Sequence, residues 1–332
     1  MTRLADFTSL HIGGVPRSFT VARTEAEIIE AVRAADTDGR EIFILGGGTN
    51  VIISDDFSGD VVYVASTGID NDPSACAGAW VTVQAGHSLD DLVDTAVTRG
   101  WSGIEGLSGV PGTVGATPLQ NVGAYGQQVS DTIAQVRAWN RETNTVDTLF
   151  ANDCAFGYRD SILKRHPNRW VVLSVVFQFP LGTLSAPIQF DELSAKLGVS
   201  KGARVPTSDV RSAVLALRSS KGMVIDERDH DSWSVGSFFL NPRVATAPIG
   251  APAWELPDGQ FKVSAAWLIE NAGFSKGFGL NDRATLSTKH TLALTNRGTA
   301  TSADILELAH HIRAGVLSTY GIELEFEPRV VS

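Results

Sequence analysis

Cysteine is nearly missing from this 332-residue chain. Cys76 and Cys154 are the only two, too few for a disulfide framework or a cysteine-rich zinc site. Long apolar runs are missing too: no stretch of about 18 apolar residues occurs, so no spanning helix is expected. The opening MTRLADFTSLHIGG carries no apolar run of signal-peptide length, and a reducing, cytoplasmic location is the expectation. Basic charge is scarce. With 27 Lys+Arg against 37 Asp+Glu the formal net charge is -10, and nothing offers a basic stripe to a nucleic-acid backbone. A small anion held by a few local arginines stays compatible with that balance. Only 13 prolines accompany 32 glycines, and with 43% hydrophobic residues the chain reads as an ordinary folded protein of two or three domains.

What is present is a mixture of helical and strand patterns along the whole length. TEAEIIEAVRAA (24–35) pairs Thr24 with Glu27 as a capping box before Ile28, Ile29 and Val32. SLDDLVDTAVTRG (88–100), 208–221, VSAAWLIENAG (263–273) and 302–320 also read as helices. EIFIL (41–45), VIIS after Asn50, VVYV (61–64), WVTV (80–83), VVLSVVFQF (171–179) and IELEF (322–326) read as strands. Residues 137–149 suggest a hairpin turning at Glu142–Asn144. The polar stretch KGMVIDERDHDSWSVG (221–236) suits a connection, and an α+β chain with a break near residue 220 is the coarse reading.

Glycine concentrates in two places, GGGTN (46–50) and GIEGLSGVPGTVGATPLQNVGAYG (103–126). The three-residue period of the second is too short and too proline-poor for collagen. It reads as an irregular loop, or as backbone that must approach a ligand closely. GGGTN fits neither a Rossmann fingerprint, because a strand follows it and Val51 stands sixth, nor a Walker loop, because no lysine follows. Two such stretches could grip a pyrophosphate from two sides, which points to a large phosphate-bearing ligand in a non-Rossmann setting.

LGGGTNVIISD, GLSGVPGTVGATPLQNVGAYGQ, CAFGYRDS (154–161), VGSFFLNP (235–242) and GIELEFEPRV (321–330) occur in one order. That order resembles the UDP-N-acetylenolpyruvoylglucosamine reductase family, and the resemblance runs from about Leu10 to Arg329. It implies an α+β protein: a two-lobed, non-Rossmann FAD-binding domain of the PCMH / vanillyl-alcohol-oxidase type, plus a C-terminal α+β substrate-binding domain. The implied division is 1–65, joined by 321–332, and 66–220 as two FAD-binding subdomains, with 221–320 as the substrate domain. Non-covalent FAD and NADPH are the implied cofactor and co-substrate. A UDP-sugar and NADPH would share one site in a monomer, with no nucleic acid and no membrane insertion.

By the same resemblance Gly46, Gly47, Gly48, Thr49, Asn50, Pro111, Gly112, Gly115, Ala116, Asn121, Gly123, Tyr125 and Arg218 hold the cofactor. Arg159, Ser237 and Glu327 are the catalytic set: a cation facing the substrate carboxylate, the general acid and a catalytic carboxylate. Tyr158, Phe190, Lys221, Asn241, His290 and Arg329 match substrate-side positions. Taken by chemistry alone, other readings stand beside these. Arg159 could be a surface arginine paired with Asp160, and Ser237 a strand-edge or capping serine. Glu323, Glu325 and Glu327 at alternate positions could form the solvated face of an edge strand. Arg218 and Lys221 could be cations closing a helix, and His290 a lone histidine. Phe190 stands where a subclass of the family carries a tyrosine, and Pro328 replaces a β-branched residue. DERDHDSWS is longer than in familiar members. His310–His311 sit adjacent in a helix and face apart, so no metal site is expected. An FAD-dependent alcohol or sugar oxidase, with His87 as a covalent anchor, and an inactive sugar-nucleotide-binding module are the rivals. Rapid reoxidation by oxygen would mark the first; the second would lack the Arg159–Ser237–Glu327 set.

Overall fold

The computed structural model describes residues 2–72 and 78–332, and Cys76 lies outside them. The chain divides into two compact units. One comprises 17–47 and 59–218; the other comprises 1–16, 48–58 and 219–332.

Among the described residues, the unit of 17–47 and 59–218 holds two larger sheets and a short two-stranded ribbon. Asp60–Val64 lies between Ser18–Ala22 and Ile42–Leu45, parallel to both. The helix Glu25–Thr37 makes the crossover between the two outer strands, and the Thr24 hydroxyl accepts from the Glu27 N–H to cap it. The Glu27 carboxylate closes the turn on the Arg23 N–H, one residue before the cap itself. The second sheet is antiparallel, ordered Thr145–Phe150, Ile133–Asn140, Trp170–Phe179, Ala79–Gln84, Ile69–Asp72. Asn144, at φ +54°, closes the hairpin that the sequence places there. Trp170–Phe179 is central and buried along nearly its whole length, as its continuous apolar run requires. Leu89, Leu92, Val93 and Ala96 of the helix Leu89–Thr98 pack into the same core. A buried carboxylate braces the parallel sheet: Asp60 accepts from Arg17, Ser18 and Arg40. The Arg17 hydrogen bond leads the causes that hold its carboxyl far below the usual range.

The other unit is built on the helix Ser302–Tyr320, capped by Thr301 and Asp304 and stopped by Gly321 at φ +68°. Ile305, Leu308, Ala309, Ile312 and Val316 face a core shared with Leu268, Ile269, Phe238 and Phe239. Three small sheets surround it: Arg243–Val244/Phe261–Val263/Ala253–Glu255, Ala284–Leu286/Leu294–Asn296, and Val51–Ile53 paired in parallel with Arg329–Val331. The helix of the VSAAWLIENAG segment runs Ala265–Asn271, because Val263 belongs to a strand and Ser264 caps the helix start.

The run IELEF does not form the expected strand. Its one bridge is Phe326 to Phe239, flanked by Glu327 N–H to Phe238 O (2.9 Å) and Leu240 N–H to Glu325 O (2.9 Å). The Phe238 N–H goes to Leu292 O (2.8 Å) and the Arg329 N–H to Asn50 O (3.1 Å), while Pro242 has no N–H to offer, so pairing stops after a single step. The polar stretch 221–236 is irregular, as expected, and is anchored by a buried carboxylate. Asp231 is buried and accepts from the Thr288 N–H (2.8 Å), the Thr288 hydroxyl (2.5 Å) and Arg297 (3.0 Å).

Candidate active site

In the unit of 17–47 and 59–218 the two glycine stretches meet. A Cβ on Gly47 would lie 2.6 Å from the Gly112 Cα, and one on Gly46 2.7 Å from the Thr113 hydroxyl. No L side chain fits against backbone at that spacing, which explains glycine at 47, whereas at 46 the neighbour is a side-chain hydroxyl. The Gly112 carbonyl accepts from Leu89 N–H (3.0 Å), while Val114 and Gly115 donate to the carbonyls of His87 (2.8 Å) and Ala85 (2.7 Å). Among the described residues no acceptor faces the N–H groups of Gly47, Gly112 or Thr113. All three residues are half-exposed, as is Pro111, and Ala116 is exposed.

The first half of the glycine run is built otherwise. Gly103 donates to Glu105 (2.7 Å), Gly106 to Gln127 (2.6 Å) and Gly109 to Asp90 (2.6 Å). These amides are occupied by the protein itself. Asp90 is held in turn by Arg211 at 2.7 and 3.2 Å. Burial pushes the Asp90 carboxyl up, and the Arg211 and Gly109 hydrogen bonds more than offset it, leaving it below its usual range. Arg218 is buried, which disfavours its charge, while Tyr125 and Asp90 act in the opposite sense. Burial also pushes the Tyr125 hydroxyl up to about 12, so the phenol stays neutral.

Residues 123–128 form a tight two-stranded ribbon. Tyr125 (φ +50°) and Gly126 (φ +85°) make the turn, with Gly123 opposite Gln128 and Ala124 opposite Gln127. The Arg159 guanidinium docks on this ribbon's edge, donating to Gly123 O (2.5 Å) and Asn121 O (3.3 Å). A Cβ at Gly123 would come 3.1 Å from the Arg159 Nη1, so glycine there makes room for the cation. Arg159 itself takes φ +51°, a conformation that costs energy for a residue with a Cβ. Lys164 Nζ, donating to the Arg159 carbonyl (2.8 Å), and the Gly157–Asp160 bridge hold that turn. Asp160 accepts from Arg165 at 2.6 Å. Buried Asn121 (φ +45°) ties Gln128, Ser130 and Gly157 together. Tyr158 is exposed and lies under the Arg159 guanidinium. Phe190 packs edge-on against Tyr125, with centroids 5.4 Å apart.

In the other unit Gly48 (φ +65°) has no space for a Cβ, which would fall 1.9 Å from Phe7 O. Thr49 and Asn50 are half-exposed, and Asn50 O accepts from the Arg329 N–H at 3.1 Å. Ser237 is half-buried, directly before the Phe238 whose carbonyl receives the Glu327 N–H. Phe238, Phe239 and Phe326 clamp the two segments, with centroids 5.2–5.6 Å apart. Glu327 is half-buried whereas Glu323 and Glu325 are exposed. The loop carrying His290 turns on the Ser287 hydroxyl and offers Leu292 O to the Phe238 N–H at 2.8 Å. Asn241 Oδ1 accepts from the Ala265 N–H at 2.9 Å, a helix-capping contact. Lys221 is half-exposed and Arg329 exposed. The structure therefore gathers Ser237, His290, Asn241 and Glu327 on neighbouring segments of one unit, and Tyr125, Arg159, Arg218 and Phe190 in the other.

A pyrophosphate needs amide donors and close backbone, and the Gly47–Gly112 junction offers both without a Rossmann turn. The residues present thus fit an FAD. The class is a flavoprotein fold of the non-Rossmann, PCMH type combined with a C-terminal α+β domain, and residues 16–148 match the family model of the FAD binding domain.

The chain belongs to the UDP-N-acetylenolpyruvoylglucosamine reductase family. Residues 228–331 match that enzyme's C-terminal domain model. The reductase so named from Cutibacterium acnes is 50% identical over 99% of this chain and 89% of its own length. Those from Streptomyces avermitilis and a Mycobacterium species are 46% and 47% identical over 99% of this chain, spanning 93% and 94% of their own. The solved UDP-N-acetylenolpyruvylglucosamine reductase of Thermus caldophilus shares the fold, with a TM-score of 0.67 at 24% identity, covering 100% of this chain and 98% of that one.

Glu105, Gln127, Asp90 and Arg211, which fasten the glycine run, carry no sequence motif. Only the acid between two glycines in GIEG hints at the first of them.

Proposed function

We propose that the protein reduces UDP-N-acetylenolpyruvoylglucosamine to UDP-N-acetylmuramate in peptidoglycan precursor synthesis, with NADPH as hydride donor. The residues that would hold FAD, non-covalently, are Gly46–Asn50, Pro111, Gly112, Gly115, Ala116, Asn121, Gly123, Tyr125 and Arg218. Bound there, FAD would supply the hydride chemistry linking NADPH to the enolpyruvyl carbon, and these two partners would take turns in one site. Arg159 would face the substrate carboxylate and, with Glu327, stabilise the charge that builds there. The Ser237 hydroxyl would supply the proton to the adjacent carbon. Tyr158, Phe190, Lys221, Asn241, His290 and Arg329 would bind substrate, and residues 221–320 would form most of its domain.

The observation that carries this reading is the aromatic clamp in a chain of this family. It joins the segment of Ser237 to that of Glu327 through the Phe238 O–Glu327 N–H backbone bond, which supports a hydroxyl and a carboxylate carried on adjoining segments. The test is anaerobic. NADPH should bleach the flavin of the purified protein, and UDP-N-acetylenolpyruvoylglucosamine should restore its colour. Ser237→Ala should leave the first step intact and slow the second by about 10²–10⁴-fold. Unchanged reoxidation would sink the assignment of Ser237, and a colourless protein the whole reading.

A further inference from the structure

Glu105 is a carboxylate with no solvent exposure, inside a glycine-rich loop and outside every role assigned above. Its Oε2 accepts from Gly103 N–H at 2.7 Å. Its Oε1 accepts from Ala186 N–H at 3.2 Å and from Gln127 Nε2 at 2.9 Å. Gln127 passes the connection on, since its Oε1 accepts from Gly106 N–H at 2.6 Å. Backbone N–H groups can only donate, so this group accepts with both oxygens; a neutral amide in its place would turn an NH₂ toward a donor. The Gln127 side chain is thereby oriented as well, its nitrogen to Glu105 and its oxygen to Gly106.

Gln127 stands opposite Ala124 in the ribbon whose first residue, Gly123, accepts from Arg159 Nη2 at 2.5 Å. Gly106 packs beneath that ribbon, where a Cβ would come 3.2 Å from Ala124 O. We infer that buried Glu105, through Gln127, is a positioning residue that fixes the ribbon and with it the Arg159 guanidinium. Its bond to Ala186 also fastens the segment leading to Phe190, which packs on the ribbon's Tyr125. The network links Gly103 to Ala186, 83 positions apart in sequence, and acts on a cation held in a left-handed backbone. A two-residue ribbon has little stability of its own; an external anchor is what gives it one geometry.

The inference rests on the reading of Arg159 as the group facing the substrate carboxylate, and the experiment separates the two. Full-length holoenzyme of the wild type, Gln127→Ala, Arg159→Lys and the double variant is compared for flavin content, NADPH half-reaction and reoxidation by the enolpyruvyl substrate. Gln127→Ala leaves Glu105 in place and is expected to keep its flavin and first half-reaction within about twofold. Its reoxidation should slow about tenfold or more, and the double variant should be no slower than Arg159→Lys alone. Multiplying effects, or full-speed reoxidation in Gln127→Ala, would overturn the inference. A bracing role without positioning would lower flavin content and thermal midpoint while leaving reoxidation per bound flavin unchanged, which also overturns it. The Arg159 guanidinium N–H resonances, assigned by their loss in Arg159→Lys, give a readout free of catalysis. They should shift or exchange faster in Gln127→Ala and in Glu105→Gln. Shifted resonances with wild-type turnover in Arg159→Lys would keep the positioning and refute the catalytic role; unshifted resonances would refute the positioning.

Discussion

Gly103, Gly106 and Gly109 give their amide protons to Glu105, Gln127 and Asp90, whereas Gly47 and Gly112 use the missing side chain to let two backbones touch. The two regions look alike in sequence and are built on different forces. The first is a largely buried, hydrogen-bonded plinth whose amides are taken by polar side chains, one two residues away and two drawn from 21 and 19 positions off. The second is a steric junction, half-exposed, with amides left for something else. Glycine count alone does not separate backbone that binds from backbone that is merely braced; the destination of each N–H does.

The junction is the place to break first. In Gly47→Ala the new Cβ meets backbone at 2.6 Å, an atom that cannot swing aside. About 1–3 kcal/mol or more of overpacking should fall on the loop that meets Gly112. The expected outcome is a folded protein purified without flavin colour, checked by its visible absorption and circular dichroism.

The plinth should fail more gently and with a different dependence on conditions. Asp90→Asn weakens the Arg211 pair and the bond to Gly109, at about 1–2 kcal/mol once its partial exposure is allowed for. Because the folded carboxyl of Asp90 lies below its ordinary 3.8, its contribution is complete above that value and is lost as pH falls through the folded value. The wild type should therefore lose stability on the acid side faster than Asp90→Asn does, a difference that thermal melts from neutral pH downward would register. The Gly47–Gly112 contact has nothing to titrate, so the loss in Gly47→Ala should be the same at every pH.

The smallest effect is expected at the edge of this region. Phe190→Ala removes the edge-on contact with Tyr125 and should cost about 0.5–1.5 kcal/mol, a few degrees in melting temperature. It should leave flavin binding unchanged. A loss of flavin colour there would show that the aromatic pair belongs to the junction and not to its margin.

Much of this was legible in the chain. The helices Glu25–Thr37, Leu89–Thr98 and Ser302–Tyr320 announce themselves by caps and apolar stripes, because those signals lie within one or two turns of sequence. The buried strand Trp170–Phe179 does so by its apolar run. IELEF misled for the same reason: its alternation survives, with Leu324 buried between two exposed glutamates, but pairing is decided by the partner. Pro242, which lacks an N–H, and the commitment of the Phe238 and Arg329 N–H groups to Leu292 and Asn50 left one bridge where a strand was expected. Arg159 could be singled out by its motif, yet nothing in GYRDS tells that its guanidinium is held by the carbonyls of Asn121 and Gly123.

The sequence by itself determined the periodic elements, the scarcity of basic charge, the two glycine stretches and, through its ordered motifs, the family. Those properties reside in neighbouring residues or in local composition. Tertiary structure alone decided which glycine amides are consumed, that Gly47 lies against Gly112, that the Glu327 N–H meets the carbonyl of Phe238, and that a carboxylate at 105 reaches Ala186. Each of these is a meeting of chain segments remote in sequence. Such meetings are selected by the burial of shared cores and by the need of every buried donor to find an acceptor.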